Sequence, residues 1–212
     1  AIDSTRAAVA SQRMIGANLA QGRQILAKTA GWDQVMLDWL PWSHVAGTFN
    51  QMGVLSCGGT LYIDGGRPLP GLFEQTLANL REMPVQFYTN VPLGFAMLAD
   101  ALAVEAPLRR TFFSRLRLML YGGAGLPQAL YERLQHLAVD TIGRRIFCTT
   151  GYGATETTSG CMSIWFPTER VGIGLPMPGL QLKLVPLEDG RYELRLRGPM
   201  STPGYLGAPE QN

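Results

Sequence analysis

The run Thr149-Thr150-Gly151-Tyr152-Gly153-Ala154-Thr155-Glu156-Thr157-Thr158 follows directly on an apolar stretch, Arg145-Ile146-Phe147-Cys148. It brings glycines, an aromatic ring, several hydroxyls and one carboxylate into a single short segment. Those residue types suit a nucleotide. Glycines allow backbone N–H groups to approach phosphate, the face of Tyr152 can stack on a base, and the carboxylate of Glu156 can hold Mg²⁺ against phosphate oxygens. Residue types alone read Gly-x-Gly-x-Thr-Glu equally well as a polar turn.

Two other loops carry groups of the same kind. In Pro41-Trp42-Ser43-His44-Val45-Ala46-Gly47, a histidine beside tryptophan and glycine can line a pocket for an organic substrate. Spacing alone favours a plainer role, with His44 capping the helix that follows. In Gly122-Gly123-Ala124-Gly125-Leu126-Pro127, glycines between a strand and a helix permit close approach of a ligand to unpaired N–H donors at the helix start. A tight strand-to-helix turn needs glycine for steric reasons as well. The segment has neither the G-x-G-x-x-G spacing of a dinucleotide site nor the lysine of a Walker loop.

These loops need a frame, and the apolar pattern supplies one. Val35–Leu40, Thr60–Ile63, Val85–Tyr88, Leu116–Tyr121 and Arg145–Cys148 read as buried strands. Between them, Gly71 to Met83, Pro92 to Ala103 and Pro127 to Val139 have helical periodicity, and Leu130, Leu134 and Leu137 share one face. Pro127 suits a first helical turn. The alternation predicts an α/β fold, a mostly parallel sheet with flanking helices, in which ligands bind beyond the carboxyl ends of the strands. After Phe166 the pattern changes to proline-punctuated loop. Leu180–Val185 and Tyr192–Arg197 then alternate around Glu188-Asp189-Gly190, which predicts a β-hairpin. The expected division is an α/β core over 1–166 and the start of an antiparallel β subdomain over 167–212.

Composition narrows the function classes. A net charge of +2 over 212 residues argues against nucleic acid or an anionic membrane as partner. No apolar run reaches the roughly 18 residues of a membrane span. Cys57, Cys148 and Cys161 are scattered without metal-ligand spacing, as expected of free, mostly buried thiols in a reducing compartment, so the expected location is cytoplasmic.

The wording Tyr152-Gly153-Ala154-Thr155-Glu156-Thr157 resembles the signature of the adenylate-forming (AMP-binding) superfamily of acyl-CoA synthetases, luciferases and peptide-synthetase adenylation domains. Leu40-Pro41-Trp42-Ser43-His44 is similar to that family's Leu-Pro-x-x-His motif, and Gly122-Gly123-Ala124 to its Gly-Gly-Ala-x-Leu stretch. Further similar segments are Gly172 to Gly179, Glu193 to Pro199 and Thr202 to Tyr205. The resemblance implies that Gly122, Gly123, Ala124, Gly151, Tyr152, Gly153, Ala154 and Thr155 hold ATP or AMP, with Tyr152 on adenine and Thr155 at the α-phosphate. It implies Glu156 as ligand of Mg²⁺, Thr155 and Glu156 as the catalytic pair, and His44, Trp42 and Gly151 at the acyl site. Asp38 to Trp42, Gly59 to Asp64, Asn90-Val91-Pro92 and Lys183 to Pro186 look most like feruloyl-CoA synthetases, which implies a hydroxycinnamate such as ferulate as the acid and CoA as co-substrate. A fatty-acid or other aryl-acid ligase and a non-catalytic nucleotide-binding remnant are the alternatives. A peptide-synthetase domain is disfavoured, because its substrate amine wants a carboxylate near the first loop.

The chain also departs from the family. The place of the phosphate loop holds Ala1 to Ala7 without a glycine, and neither the ribose-binding aspartate nor the lysine-bearing C-terminal domain is found. The expectation is an internal portion of the large domain that keeps part of the pocket and does not complete catalysis alone. Apolar surface exposed in that way predicts self-association.

Overall fold

The computed structural model describes residues 7–25, 34–208 and 210; the Ala1–Arg6 part of the place expected for a phosphate loop lies outside them. Five parallel strands form the central sheet: β1 (Val35–Asp38), β2 (Thr60–Ile63), β3 (Phe87–Asn90), β4 (Leu118–Gly122) and β5 (Phe147–Gly151), in the order β2-β1-β3-β4-β5. The helices are α1 (Gln12–Ile25), α2 (Val45–Ser56), α3 (Phe73–Glu82), α4 (Pro92–Val104), α5 (Ala106–Arg115) and α6 (Gln128–Ile142). From β1 the chain pairs outward to β2 on one side and later to β3 on the other, so the topological switch lies between β1 and β3. A crevice beyond the carboxyl ends of those strands is the ligand site such sheets favour.

The α/β reading of the sequence agrees with this architecture, and the five expected strands are the five observed, but β2, expected to be buried, lies at the sheet edge and is largely exposed. Strands β3, β4 and β5 begin two residues later than their apolar runs suggested. Helices α1 and α5 were not foreseen. Pro107 looks like a breaker, yet it occupies the first turn of α5, where its missing N–H costs nothing. Helix α6 stops at Gly143, whose φ of 70° is left-handed and whose N–H reaches the Val139 carbonyl at 2.8 Å, a conformation glycine enters without Cβ strain.

Strand pleating sorts the side chains into two layers. The row Leu37, Tyr88, Met119 and Cys148 is in register across β1, β3, β4 and β5 and faces the helices α3 to α6. There it joins Phe95, Leu98, Leu102, Leu108, Phe112 and Phe113 in one buried cluster. Edge-to-face ring pairs link Tyr88 to Phe95 at 5.7 Å, Tyr88 to Phe112 at 5.4 Å and Phe112 to Phe113 at 5.1 Å between centroids, the arrangement the aromatic quadrupole prefers. Just beyond β2, the buried Asp64 carboxylate accepts from Thr76 Oγ1 (2.6 Å), Asn79 Nδ2 (2.9 Å) and the Gly66 N–H (2.8 Å), which ties the edge of the sheet to α3.

Beyond the sheet lie two antiparallel pairs. Strands β6 (Met162–Ser163) and β7 (Leu175–Pro176) pair across the position where the sequence pattern changes. Strands β8 (Gln181–Pro186) and β9 (Tyr192–Arg197) form the expected hairpin, in register from Gln181 opposite Arg197 to Pro186 opposite Tyr192. Its inward residues Leu182, Leu194 and Leu196 pack on a second small core of Cys161, Met162, Met177 and Met200. Among the described residues no helix is long and apolar enough to cross a membrane.

Candidate active site

The face of the sheet opposite the aromatic core is not filled. Helices α1 and α2 stand over part of it, and between them and the strands lies a cavity of about 630 Å³. Its floor is the row Thr89, Leu120 and Thr149, in register on β3, β4 and β5. One side is Trp39 to Pro41 with His44 to Ala46, and the other is the loop after β5. Trp39 to Pro41, just past β1, and Asn90 and Val91, at the end of β3, all line it, so it adjoins the switch point between those strands.

The rim is made by glycine. Gly122 and Gly151 are register partners at the carboxyl ends of β4 and β5, and both line the cavity with no side chain to close it. Gly123 follows with a φ of 78°, so the turn out of β4 strains any other residue. The loop after β5 is closed on itself by a bridge: Tyr152 N–H donates to the Met162 carbonyl (3.1 Å), and Cys161 N–H donates back to the Tyr152 carbonyl (2.8 Å). A Cβ on Gly153 would overlap the Ser159 carbonyl, so only glycine lets the loop fold this tightly. Thr155–Thr157 then form one 3₁₀ turn, with Thr157 Oγ1 accepting from the Ala154 N–H at 3.0 Å.

Glu156 is fixed from two directions. Its carboxylate accepts from the Tyr205 hydroxyl at 2.7 Å, and its carbonyl accepts from the Thr202 N–H at 2.7 Å. The segment Thr202-Pro203-Gly204-Tyr205, noted in the sequence only as a matching motif, therefore holds the acidic loop in place. Sequence separation hid this contact.

His44 reconciles its two readings. It lines the cavity, and its Nδ1 accepts from the Ala46 N–H at 3.2 Å as the N-cap of α2. Capping fixes the ring at the cavity wall. The backbone beside it is equally tight, since a Cβ on Gly47 would overlap the Pro41 carbonyl.

The structure brings together His44, Gly122, Gly123, Gly151, Gly153, Ala154, Thr155 and Glu156 on one cavity. Three expected residues stand apart from its lining. Trp42 sits in the turn before α2, 49% exposed, its carbonyl accepting from Thr48 Oγ1. Trp39 lines the cavity instead, and its Nε1 donates to Asn90 Oδ1 at 3.1 Å. Tyr152 lies between two lining glycines, but its ring is 42% exposed and off the wall. Ala124 is exposed, beyond the rim.

The polar groups of the walls are mostly spent on the protein itself. Thr149 Oγ1 bonds to Ser163 Oγ (2.9 Å) and to the Ile164 carbonyl, Ser163 Oγ donates to the Thr150 carbonyl (2.9 Å), and Thr150 Oγ1 donates to the Tyr121 carbonyl (3.1 Å). Asn90 Nδ2 donates to Tyr88 Oη at 2.8 Å. Behind the wall, Asn50 Nδ2 donates to Asp38 Oδ2 at 3.1 Å. Burial raises the pKa of that aspartate from its ordinary value, against the opposing pull of the Asn50 and Leu40 hydrogen bonds. Among the described residues no cluster of three or more His, Cys, Asp or Glu forms a metal cage. Glu156 alone suits a cation that takes its remaining ligands from phosphate, which is how Mg²⁺ is commonly held.

The model of the AMP-binding enzyme family matches residues 6–206, and the chain belongs to that family. It is 30% identical over 202 residues to luciferin 4-monooxygenase of Photinus pyralis, covering 89% of this chain and 32% of that protein. It is 28% identical to 4-coumarate–CoA ligase-like 9 of Arabidopsis thaliana, covering 92% of this chain and 34% of the other. A malonyl-CoA ligase solved as a ternary product complex with methylmalonyl-CoA and AMP superposes with a TM-score of 0.70 at 28% identity, over 97% of this chain and 43% of its own. The chain thus spans about a third of the length of the curated relatives it matches.

Proposed function

We propose that this chain forms the acid- and nucleotide-binding part of an ATP-dependent acid–CoA ligase acting on a hydroxycinnamate such as ferulate. In this reading one carboxylate oxygen of the acid attacks the α-phosphorus of ATP, pyrophosphate leaves, and the acyl-adenylate forms. The sulfur of CoA then attacks the acyl carbon, with loss of the thiol proton and departure of AMP. Thr155 donates its hydroxyl to an α-phosphate oxygen. Glu156 would hold Mg²⁺, whose charge would offset that of the phosphates. Gly122 and Gly123 leave room for the adenine and Tyr152 stacks beside it. His44 and Gly151 border the carboxyl group, and Ala154 and Ala124 complete the nucleotide side. The α/β part over 1–166 carries these groups, and the β segment over 167–212 braces Glu156 through Tyr205.

The observation that carries this reading is the single cavity in which the glycine rim, Thr155 and Glu156 adjoin an apolar chamber floored by Leu120 and walled by Trp39. Phosphate chemistry and an apolar tail meet there. Calorimetric titration with a non-hydrolysable feruloyl-adenylate mimic tests it. Binding is expected, and Gly122→Leu, which fills the rim, should abolish it. A folded chain that does not bind the mimic overturns the assignment. Tighter binding of an octanoyl mimic would transfer it to a fatty-acid ligase.

A further inference from the structure

The backbone around Tyr205 is held from both sides. Ala8 and Tyr205 pair as an isolated antiparallel bridge. Flanking it, the Val9 N–H donates to the Gly204 carbonyl (2.9 Å) and the Leu206 N–H to the Ala7 carbonyl (2.8 Å). Thr202 fastens the same segment twice. Its Oγ1 donates to the Val9 carbonyl at 2.8 Å, and its N–H to the Glu156 carbonyl at 2.7 Å. Just past the 3₁₀ turn, Thr158 Oγ1 donates to the Met200 carbonyl at 3.0 Å. Residues 200–206 are thus tied both to the loop that carries Glu156 and to residues 7–9.

From this frame the Tyr205 hydroxyl donates to Glu156 Oε1 at 2.7 Å. The bond engages one carboxylate oxygen, and a carboxylate has a second to give to a cation. Glu156 lines the cavity and Tyr205 does not, so the phenol acts on a bound ligand only through the carboxylate. A free glutamate side chain samples many rotamers, and holding it still opposes binding. A donor that already holds it takes that ordering out of the binding step. Hydrogen bonds of this kind to a metal-ligating carboxylate typically change metal affinity by about 10–100-fold.

Resting on the reading of Glu156 as the Mg²⁺ ligand of an acid ligase, we propose that Tyr205 is a positioning residue for the cation. It presets the Glu156 carboxylate to receive Mg²⁺, and it raises affinity for a nucleotide only when the nucleotide carries that ion. A mere brace of the loop would affect both forms of the nucleotide alike.

The experiment is calorimetric titration of this chain with α,β-methylene-ATP, once with Mg²⁺ and once with EDTA in its place. Mg²⁺ should tighten binding to wild type. Tyr205→Phe keeps the ring and removes the hydroxyl. It should weaken binding of the Mg²⁺-loaded analogue about tenfold and leave that of the metal-free analogue as in wild type. Partial unfolding would depress both titrations together, so it does not imitate this result. In a Glu156→Gln background, Tyr205→Phe should bring no further loss, because the group it acts through is gone. Equal weakening of both forms, or a loss that persists in the Glu156→Gln background, overturns the inference and leaves Glu156 as the metal ligand. Wild-type binding that Mg²⁺ does not tighten overturns the assignment of Glu156, and the inference with it. Failure of the folded chain to bind either form overturns the nucleotide site itself.

Discussion

The two faces of the central sheet are built from the same strands, offset by one residue, and are put to opposite uses. Leu37, Tyr88, Met119 and Cys148 point into a layer of aromatic and aliphatic side chains with almost no exposure. Thr89, Leu120 and Thr149 point into a chamber of about 630 Å³. One face is packed for stability, because close contact over a large apolar area is the main favourable term in folding. The other leaves that volume unpacked, and Thr149 and Thr150 keep its wall hydrogen-bonded. The difference teaches how a parallel sheet can carry a site without losing its core: the unfilled volume lies on one side only, beside the switch point.

The largest test compares the faces directly. Phe112→Ala removes a ring from the packed side and should cost about 3–5 kcal/mol. Thr149→Val on the open side keeps the volume but removes the hydroxyl from Ser163 and Ile164, at a cost of about 1–3 kcal/mol. Urea unfolding of both variants measures the pair. Equal losses would mean that the chamber wall is as tightly packed as the core, and the contrast would fail.

Next in size is the loop that shapes the rim. Gly153→Ala places a methyl group against the Ser159 carbonyl, and relief requires the backbone between Tyr152 and Met162 to shift. A loss of about 1–3 kcal/mol is expected from such overpacking, together with loss of affinity for an adenylate mimic. Loss of affinity with an unchanged urea midpoint would sharpen the picture, since the loop would then be built for the ligand alone.

A smaller effect concerns Asp38, buried at the end of β1. Burial raises its folded-state pKa above the ordinary value of 3.8, so the folded chain holds the proton more tightly than the unfolded one. Its contribution therefore disfavours folding at neutral pH, and that penalty disappears as pH falls through the folded value towards 3.8. Asp38→Asn, with Asn50 turning its carbonyl oxygen to meet the new amide, should gain on wild type near pH 7 and lose that advantage as pH falls towards 4. Parallel unfolding curves across this range provide the check. A difference independent of pH would show that the carboxylate is adequately solvated by its hydrogen bonds.

Much of this contrast was legible in the residues, and what was hidden follows a physical pattern. Apolar runs located the central strands because a parallel sheet buries its middle, whereas the edge strand β2 keeps an apolar run although it is largely exposed. Helix α1 escaped notice because its sequence is rich in polar residues and glycine, and only packing identifies its buried Met14, Asn18 and Gln21. The Gly151 to Glu156 run marked a tight glycine loop after a strand, but not that Tyr205, 49 residues later, would hold the Glu156 carboxylate. Trp42 and Trp39 are equivalent as letters. The turn between them sends one ring outward and leaves the other on the chamber wall.

The mildest test reads the two faces by thiol chemistry. Cys148 belongs to the packed row, and burial pushes its thiol up to about 12; Cys161, in the small second core, is raised for the same reason. Thiolate is the reactive form, so at pH 8 both should resist iodoacetamide while exposed Cys57 is labelled. Mass spectrometry of the native chain should find one modification, at Cys57, and three after denaturation. Thr149→Val leaves Cys148 facing the same core and should not alter that pattern, whereas Phe112→Ala, by loosening the packing around that row, should speed Cys148 labelling. Faster labelling of Cys148 in both variants would mean that the faces open together, and the sheet would then be a single cooperative layer with no rigid side and no adaptable one.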